Sequence, residues 1–542
     1  MRLLALVFAP RHLALLFSIA GFVGILVFMA LHPGQMRWLL VLLAVFGFLT
    51  TVGLGDLLQK RHSVLRNYPI LAHLRFILEE MRPEIRQYFF ESETDGAPFS
   101  RDRRAVVYQR AKMQLDKRPF GTQLAVYNDG FEWMLHSFAP RPISKQPFRV
   151  TIGGPACKQP YSASVFNISA MSFGALSANA IRALNGGAKR GGFAHDTGEG
   201  GFSPYHAENG GDVIWEIGSG YFGCRTLEGV FSPERFAETA ANPQIRMVEI
   251  KMSQGAKPGH GGVLPAAKVT AEIAAIRGVA MGQDCISPSG HSAFSTPLEL
   301  MAFVAQLRAL SGGKPVGMKF CLGQPVEFFG ICKAMLETGI APDFIVIDGK
   351  EGGTGAAPME FMDHLGMPMR EGLSFVHNAL VGAGLRSQIR LGCSGKILTA
   401  FDMARSMALG ADWCNSARGF MFAVGCIQSL TCHTDACPTG VATQDPARGR
   451  AIHVPDKIER VANFHAASLH CLAELTAAAG LDYPNQFQLD HFRRRVSETQ
   501  VASFVDIYPA LEDRELLRGA RDANLRALWD RARAAHFTPE RA

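Results

Sequence analysis

No cysteine occurs before residue 150, although the 542-residue chain holds 11. An odd number of late, clustered cysteines in a long chain argues against a disulfide framework and for thiols used as ligands. Dense lysine and arginine blocks interleaved with aromatics are missing, and a net charge of +7 is mild at this length. Nucleic acid is therefore not an expected partner. No G-x-G-x-x-G lies on a strand–turn–helix pattern, so no nicotinamide-binding domain is expected. Charge is missing altogether from two N-terminal runs, Leu13 to Leu31 and Trp38 to Gly55, which are separated by His32-Pro-Gly-Gln-Met-Arg37.

Each run approaches the length needed to cross a hydrocarbon core about 30 Å thick. Together they predict a transmembrane helical hairpin over residues 1–58. Arg2 and Arg11 precede it, and Lys60, Arg61, Arg66 and Arg75 follow. This asymmetry places both ends, and the bulk of the chain, on the cytoplasmic side of the membrane. With no ionisable residue inside the runs, the hairpin is an anchor rather than a transport path. The rival reading is a signal peptide followed by a buried helix, but no small-x-small cleavage site follows the first run. Residues 59–150 form a charged extension whose basic stretch, Arg101 to Lys117, is either a solvated helix face or a face toward anionic headgroups.

From about residue 160 short β-branched runs alternate with helical patterns. Eight runs read as strands: Ser164–Ala170, Gly192–Asp196, Met247–Met252, Asp284–Ser287, Val316–Cys321, Phe344–Ile347, Ile389–Cys393 and Asp412–Ser416. Pro297–Leu310 and Ala400–Leu409 are intervening helices. This pattern predicts an α/β fold, a (β/α)8 barrel, with a doubly wound sheet as the competitor. Glycine-rich or polar runs close most strands, where function sits in this fold: Ser172-Phe-Gly-Ala-Leu-Ser177, Thr197-Gly-Glu-Gly-Gly201, Gln254 to Gly259 and Gly352-Gly353-Thr-Gly355.

The loops after strands seven and eight, Ser394-Gly395-Lys396 and Ala417-Arg418-Gly419, each offer backbone N–H groups and one cation, a phosphate-binding pattern in such barrels. Lys319, ending strand five, is placed in the barrel mouth, either to stabilise negative charge on a reduced flavin ring or to pair with a neighbouring strand. Cys426, Cys432 and Cys437 follow Arg418 with C-x5-C-x4-C spacing. Three thiolates suit a [3Fe–4S] cluster. Zinc is the main rival, though C-x2-C pairs are missing. Cys393 and Cys414 are either a source of a fourth ligand or core thiols.

The run Glu249-Ile-Lys-Met-Ser-Gln-Gly-Ala-Lys257-Pro-Gly-His-Gly-Gly-Val-Leu-Pro265, the glycine runs above and Cys426…Cys432-His…Cys437-Pro-Thr-Gly-Val-Ala-Thr-Gln444 resemble the FMN domain of glutamate synthase. The similarity covers roughly residues 150–480. Arg66-Asn-Tyr-Pro, Arg82 to Phe89 and Phe120-Gly-Thr-Gln are similar to the stand-alone, membrane-anchored members of that family. The resemblance implies FMN held by Ser172, Lys319, Gly352, Gly353, Gly395, Lys396, Ala417 and Arg418, and a [3Fe–4S] cluster on Cys426, Cys432 and Cys437. It implies reduction of 2-iminoglutarate, formed from 2-oxoglutarate and ammonia, or of a related imino or keto acid. Lys257 and Arg277 would bind substrate carboxylates, and Glu199 would hydrogen-bond or protonate the imine nitrogen. A separate donor, a ferredoxin-like protein or a reductase subunit, would supply electrons. His260 and Val263 stand where the family has glutamate and glutamine, and Pro288-Ser-Gly-His291-Ser replaces its P-P-P-H-H. The glutaminase domain and the β-rich C-terminal domain of full-length synthases are not expected here. Residues 481–542 read as a helical extension. The alternative function is a non-catalytic flavin and iron–sulfur relay.

Overall fold

The computed structural model describes residues 10–32, 36–508 and 510–538. It resolves into two compact units, one up to Arg101 and one from Asp102 onward.

In the first unit, helices α1 (Leu13–Leu31) and α2 (Met36–Leu58) lie side by side. Gly21 and Gly47 let the backbones approach. A Cβ on Gly21 would stand 2.5 Å from the Phe46 ring, and one on Gly47 3.0 Å from Phe22. Small residues at the contact are the usual means of packing apolar helices. The spans Pro10–Leu31 and Trp38–Leu58 have mean hydropathies of 2.6 and 2.2 and are long and apolar enough to cross a membrane. Their side chains mostly face outward, as at Phe17, Leu31, Trp38 and Leu58, so neither is the core helix of this unit. The end of α2 includes one ionisable group beyond the expected run. Asp56 is buried, accepting the Ile70 N–H at 2.9 Å and facing His73 Nε2 at 3.0 Å. The side chain of Arg37, the one loop cation in the sequence reading, and residue Arg2 lie outside the described residues.

The second unit is built on a closed parallel barrel of eight strands: β1 (Phe166–Ile168), β2 (His195–Asp196), β3 (Val213–Ile217), β4 (Ile245–Lys251), β5 (Val316–Phe320), β6 (Phe344–Asp348), β7 (Arg390–Ser394) and β8 (Trp413–Ser416). Closure comes from β8 pairing with β1, Asn415 opposite Asn167. The expected (β/α)8 fold is present, but two strand readings are corrected. Val213–Ile217, between Gly211 and Gly218, is a barrel strand that the reading passed over. Asp284–Ser287 is not one: Cys285–Ile286 pairs antiparallel with Val263–Leu264 in a small ribbon. That ribbon belongs to a long excursion, residues 252–296, which includes the short helix Ala271–Arg277 and lies between β4 and helix α3 (Pro297–Leu310). The helix starts where it does because Thr296 and Glu299 cap each other reciprocally and Pro297 occupies the first turn.

Helices surround the barrel. Helix α4 (Ala178–Gly191) lies against α5 (Val454–Ala478) so closely that a Cβ on Gly187 would stand 2.3 Å from Val461. The basic stretch after residue 101 is partly packed inward and partly exposed, the latter at Arg101, Lys112 and Lys117. In helix Arg101–Ala111, Arg103 pairs with the buried Asp402, Arg104 is buried, and Arg110 bonds Asp116 at 3.0 Å. The C-terminal extension is not purely helical. Strands Phe492–Arg495 and Val501–Ser503 join Glu132–Met134 in an antiparallel sheet, and Leu511 and Leu516 cover Gly382.

Candidate functional site

Strand direction in a parallel barrel gathers the C-terminal ends at one rim, and Asp196, Glu216, Glu249 and Lys319, one from each of β2 to β5, are buried in the barrel interior. Lys319 sits in the interior, 3% exposed. Its ammonium contacts Glu216, lies 3.2 Å from Glu249 Oε1 and lies 3.7 Å from Asp196 Oδ2. The three carboxylates offer oxygens within 4.8 Å of one another, so the ammonium is their counter-charge. Burial, reinforced by Asp196 and Asp348, raises Glu249 well above the usual carboxylate range. Of the two readings of Lys319, the structure shows the ion pair across neighbouring strands.

One layer higher, Lys251 Nζ lies 2.9 Å from Glu199 Oε2 and 3.9 Å from Glu216 Oε1. Burial by itself would raise the Glu199 carboxyl. Lys251, aided by Arg277 and Lys257, holds it instead at about 2. Glycines make the room: a Cβ on Gly262 would stand 2.0 Å from Glu199 Oε1, and one on Gly218 3.0 Å from its Cβ. Lys257 is buried and donates to Gly261 O at 2.9 Å. Burial pulls its pKa down, and Glu199 opposes that. Arg277 is also buried. It donates to Phe173 O at 3.1 Å and Ser172 Oγ at 3.4 Å, and among the described residues its Nε has no partner. The structure thus brings Ser172, Glu199, Lys257 and Arg277 together.

The sequence reading missed Lys251, although it lies within the quoted run. It also missed the role of His291, whose Nε2 donates to Lys251 O at 2.8 Å while its Nδ1 accepts from the Tyr221 hydroxyl at 3.1 Å. Burial lowers the His291 pKa to about 4, so the ring is neutral and serves as a brace. His260 packs edge-on against Phe361, with centroids 5.4 Å apart. Val263 pairs with the exposed Ile286.

Across the rim a second group assembles. A Cβ on Gly353 would stand 2.8 Å from Arg418 Nη1, and Arg418 Nη2 donates to Glu351 O. Burial lowers Arg418 to about 10. Lys396 has a left-handed backbone, φ 53°. Its pKa falls through burial first and then through the charge of Arg418, with Glu351 opposing. Two neighbouring cations, half-buried among Gly352, Gly353, Gly395 and Ala417, suit a phosphate dianion. Asp348 ties this wall to the other side, accepting the Gly255 N–H at 2.7 Å and the Ser394 hydroxyl.

The cysteine loop adjoins that wall. Helix α6 (Arg418–Val424) ends at Gly425, φ 113°, and Cys426 follows. A Cβ on Gly355 would touch Cys432 at 3.3 Å. Burial, opposed by the Gln428 N–H and reinforced by Cys432 and Cys437, raises Cys426 to about 12. Cys437 behaves oppositely. Burial raises it, but the Thr439 hydroxyl and the N–H groups of Ala442, Thr439 and Val441 bring it below the ordinary thiol value. Such donors fit a thiolate ligand. Among the described residues the three sulfurs are not within 4.8 Å of one another. One tetrahedral zinc with bonds of about 2.3 Å needs sulfurs roughly 3.8 Å apart. The loop therefore fits a cluster of several metals better than a single ion. Cys393 and Cys414 face each other at 3.8 Å as buried register partners on β7 and β8, hence core thiols. His433 is exposed.

A closed barrel with ionic groups, glycine loops and thiols on its C-terminal rim defines a (β/α)8 protein organised for chemistry at that face. The sequence model described as "Conserved region in glutamate synthase" matches residues 152–482. The "Glutamate synthase large subunit-like protein YerD" of Bacillus subtilis (strain 168) is 38% identical over 474 residues, covering 80% of this chain and 90% of that protein. The "Archaeal glutamate synthase [NADPH]" of Methanocaldococcus jannaschii is 36% identical over 316 residues, 58% of this chain and 59% of that one. The chain covers 23% of the "Glutamate synthase [NADPH] large chain" of B. subtilis (strain 168), at 33% identity. The chain belongs to the glutamate synthase family and is an oxidoreductase of the glutamate synthase type. Among solved structures, a flavocytochrome b2 mutant with sulfite bound overlaps with a TM-score of 0.42 at 10% identity, covering 82% of this chain and 90% of that one. A mandelate oxidase mutant overlaps with a TM-score of 0.39 at 14% identity, covering 80% and 97%. Neither overlap bears on the chemistry.

Proposed function

We propose that this protein reduces 2-iminoglutarate, or a related imino or keto acid, to the amino acid, using FMN and a [3Fe–4S] cluster. The carrying observation is the Glu199–Lys251 pair at 2.9 Å, with Lys257 and Arg277 beside it. In this reading Lys396 and Arg418 hold the FMN phosphate. Gly352, Gly353, Gly395 and Ala417 permit close approach, and Ser172 and Lys319 lie toward the ring. Cys426, Cys432 and Cys437 hold the cluster. When bound, the flavin supplies hydride to the imine carbon.

The chain's own task is to bind the acid and deliver a proton to nitrogen. Lys257 offers its remaining N–H groups and Arg277 its spare Nε–H to carboxylate oxygens. With its carboxyl at about 2, Glu199 is ionised at neutral pH. It therefore orients the nitrogen as an acceptor and is not the acid. Lys251, held against Glu199, carries the proton that the amine nitrogen takes. Helices α1 and α2 anchor the protein in the cytoplasmic membrane with the barrel in the cytoplasm, and a ferredoxin-like protein or reductase subunit brings electrons.

The test is reoxidation of the pre-reduced, detergent-purified protein. Adding 2-oxoglutarate with ammonium should restore the flavin absorbance, and Lys251→Met should slow this by about 100-fold or more. The second reading, an electron relay, draws on Val263, an apolar side chain beside Ile286 where the family has an amide. Full flavin and cluster content with no reoxidation by any imino acid would favour the relay.

A further inference from the structure

Lys268 lies in the long excursion after β4, in a short turn at Ala266–Lys268. It is 2% exposed. Its ammonium donates to Ala442 O at 2.9 Å and Ala175 O at 3.4 Å. Among the described residues no carboxylate lies within 4.0 Å of it. A buried ammonium with only carbonyl partners is costly to keep charged, so something nearby must favour the charge. Burial lowers its pKa. The groups that oppose this are Asp435 and then two of the three clustered cysteines, Cys432 and Cys437.

Both acceptors are informative. Ala442 belongs to the segment whose N–H groups turn toward Cys437. Ala175 belongs to the loop after β1, which is held from the cysteine side by Gln444, donating to Gly174 O at 3.0 Å and Leu176 O at 2.8 Å. Arg277 holds the same loop from the substrate side through Phe173 O. Lys268 thus stands where the thiol loop meets the barrel rim.

We propose that Lys268 is the counter-charge of the metal cluster and raises its reduction potential. The inference rests on the reading that Cys426, Cys432 and Cys437 hold an iron–sulfur cluster. Three thiolates and the bridging sulfides give such a cluster a net negative charge, and each electron taken up adds one more. A fixed ammonium in a low-dielectric setting stabilises the more negative state more strongly. Asp435, partly exposed in the same loop, opposes the effect without neutralising it.

The test uses the full-length holoprotein in detergent, with the cluster titrated redox-potentiometrically and followed by electron paramagnetic resonance. Lys268→Gln keeps an N–H donor for Ala442 O and removes only the charge; Lys268→Met removes both. Each variant should retain the cluster, and at a fixed potential the reduced-to-oxidised ratio should fall about tenfold, a midpoint lowered by about 59 mV for one electron. An unmoved midpoint in Lys268→Gln overturns the proposal. So does a shift confined to Lys268→Met, which would trace the effect to the hydrogen bond. Loss of the cluster from Lys268→Gln also overturns it, since the lysine's role would then be structural. A wild-type protein without a cluster signal would instead overturn the underlying reading of the cysteines.

Discussion

Replacing Lys251 with methionine should weaken the barrel in a pH-dependent way that the structure specifies. Lys251 is the main cause of the low Glu199 pKa, about 2 against an ordinary 4.5. At 1.36 kcal/mol per unit, that depression is worth about 3 kcal/mol of folded-state stability. Glu199 is a carboxylate with a depressed pKa. Its contribution is therefore fully present above the unfolded value and is lost as pH falls toward 2. Lys251→Met removes that support, and burial then favours the neutral acid. The deficit relative to wild type should be about 3 kcal/mol at pH 7 and about 2 kcal/mol at pH 3.5. With an unfolding entropy of about 2 cal/mol/K per residue, a unit of some 440 residues moves by about 1 °C per kcal/mol. Thermal melts in detergent should place the variant about 3 °C below wild type at pH 7, with the gap narrowing in acid. A gap of the same size at both pH values would refute the assignment of the pair, as would equal melting at pH 7.

The other predictions concern the rim. Gly262→Ala brings a Cβ to 2.0 Å from Glu199 Oε1. It should displace the carboxylate and lower kcat about 100-fold while leaving flavin content intact, as steady-state kinetics would show. Arg418→Met should weaken FMN binding by about 2 kcal/mol, roughly 30-fold, measured by flavin fluorescence on titration into stripped protein. Cys432→Ser should abolish the iron–sulfur resonance and the broad visible absorbance while the flavin band persists. Retention of the resonance would show that the ligands lie elsewhere.

Much of this architecture is legible along the chain, and the errors have physical causes. Helices α1 and α2 follow from uninterrupted apolar runs, and seven of the eight barrel strands fall on the short apolar runs read as strands. Val213–Ile217 has the same signature but carries Glu216 at its fourth position, a charge that looks out of place in a buried strand. It is tolerated because Lys319, more than a hundred residues later, supplies the opposite charge. Cys285–Ile286 has the same local preferences as a barrel strand, and its placement in an outer ribbon is decided by its partner, Val263–Leu264. Local pattern identifies a strand but not its neighbour.

The sequence by itself determined the apolar hairpin, the repeating α/β pattern, the glycine loops and the C-x5-C-x4-C spacing, because each is a property of residues close together in the chain. Only the tertiary structure decided how the charges are shared. Asp196, Glu216 and Glu249 come from three strands to one ammonium, Lys251 holds Glu199 ionised, and Lys268 reaches the cysteine loop across more than 170 residues. Those pairings arise when the barrel closes and water is excluded. Burial then makes the proximity of a partner, rather than the residue type, set whether a side chain keeps its charge.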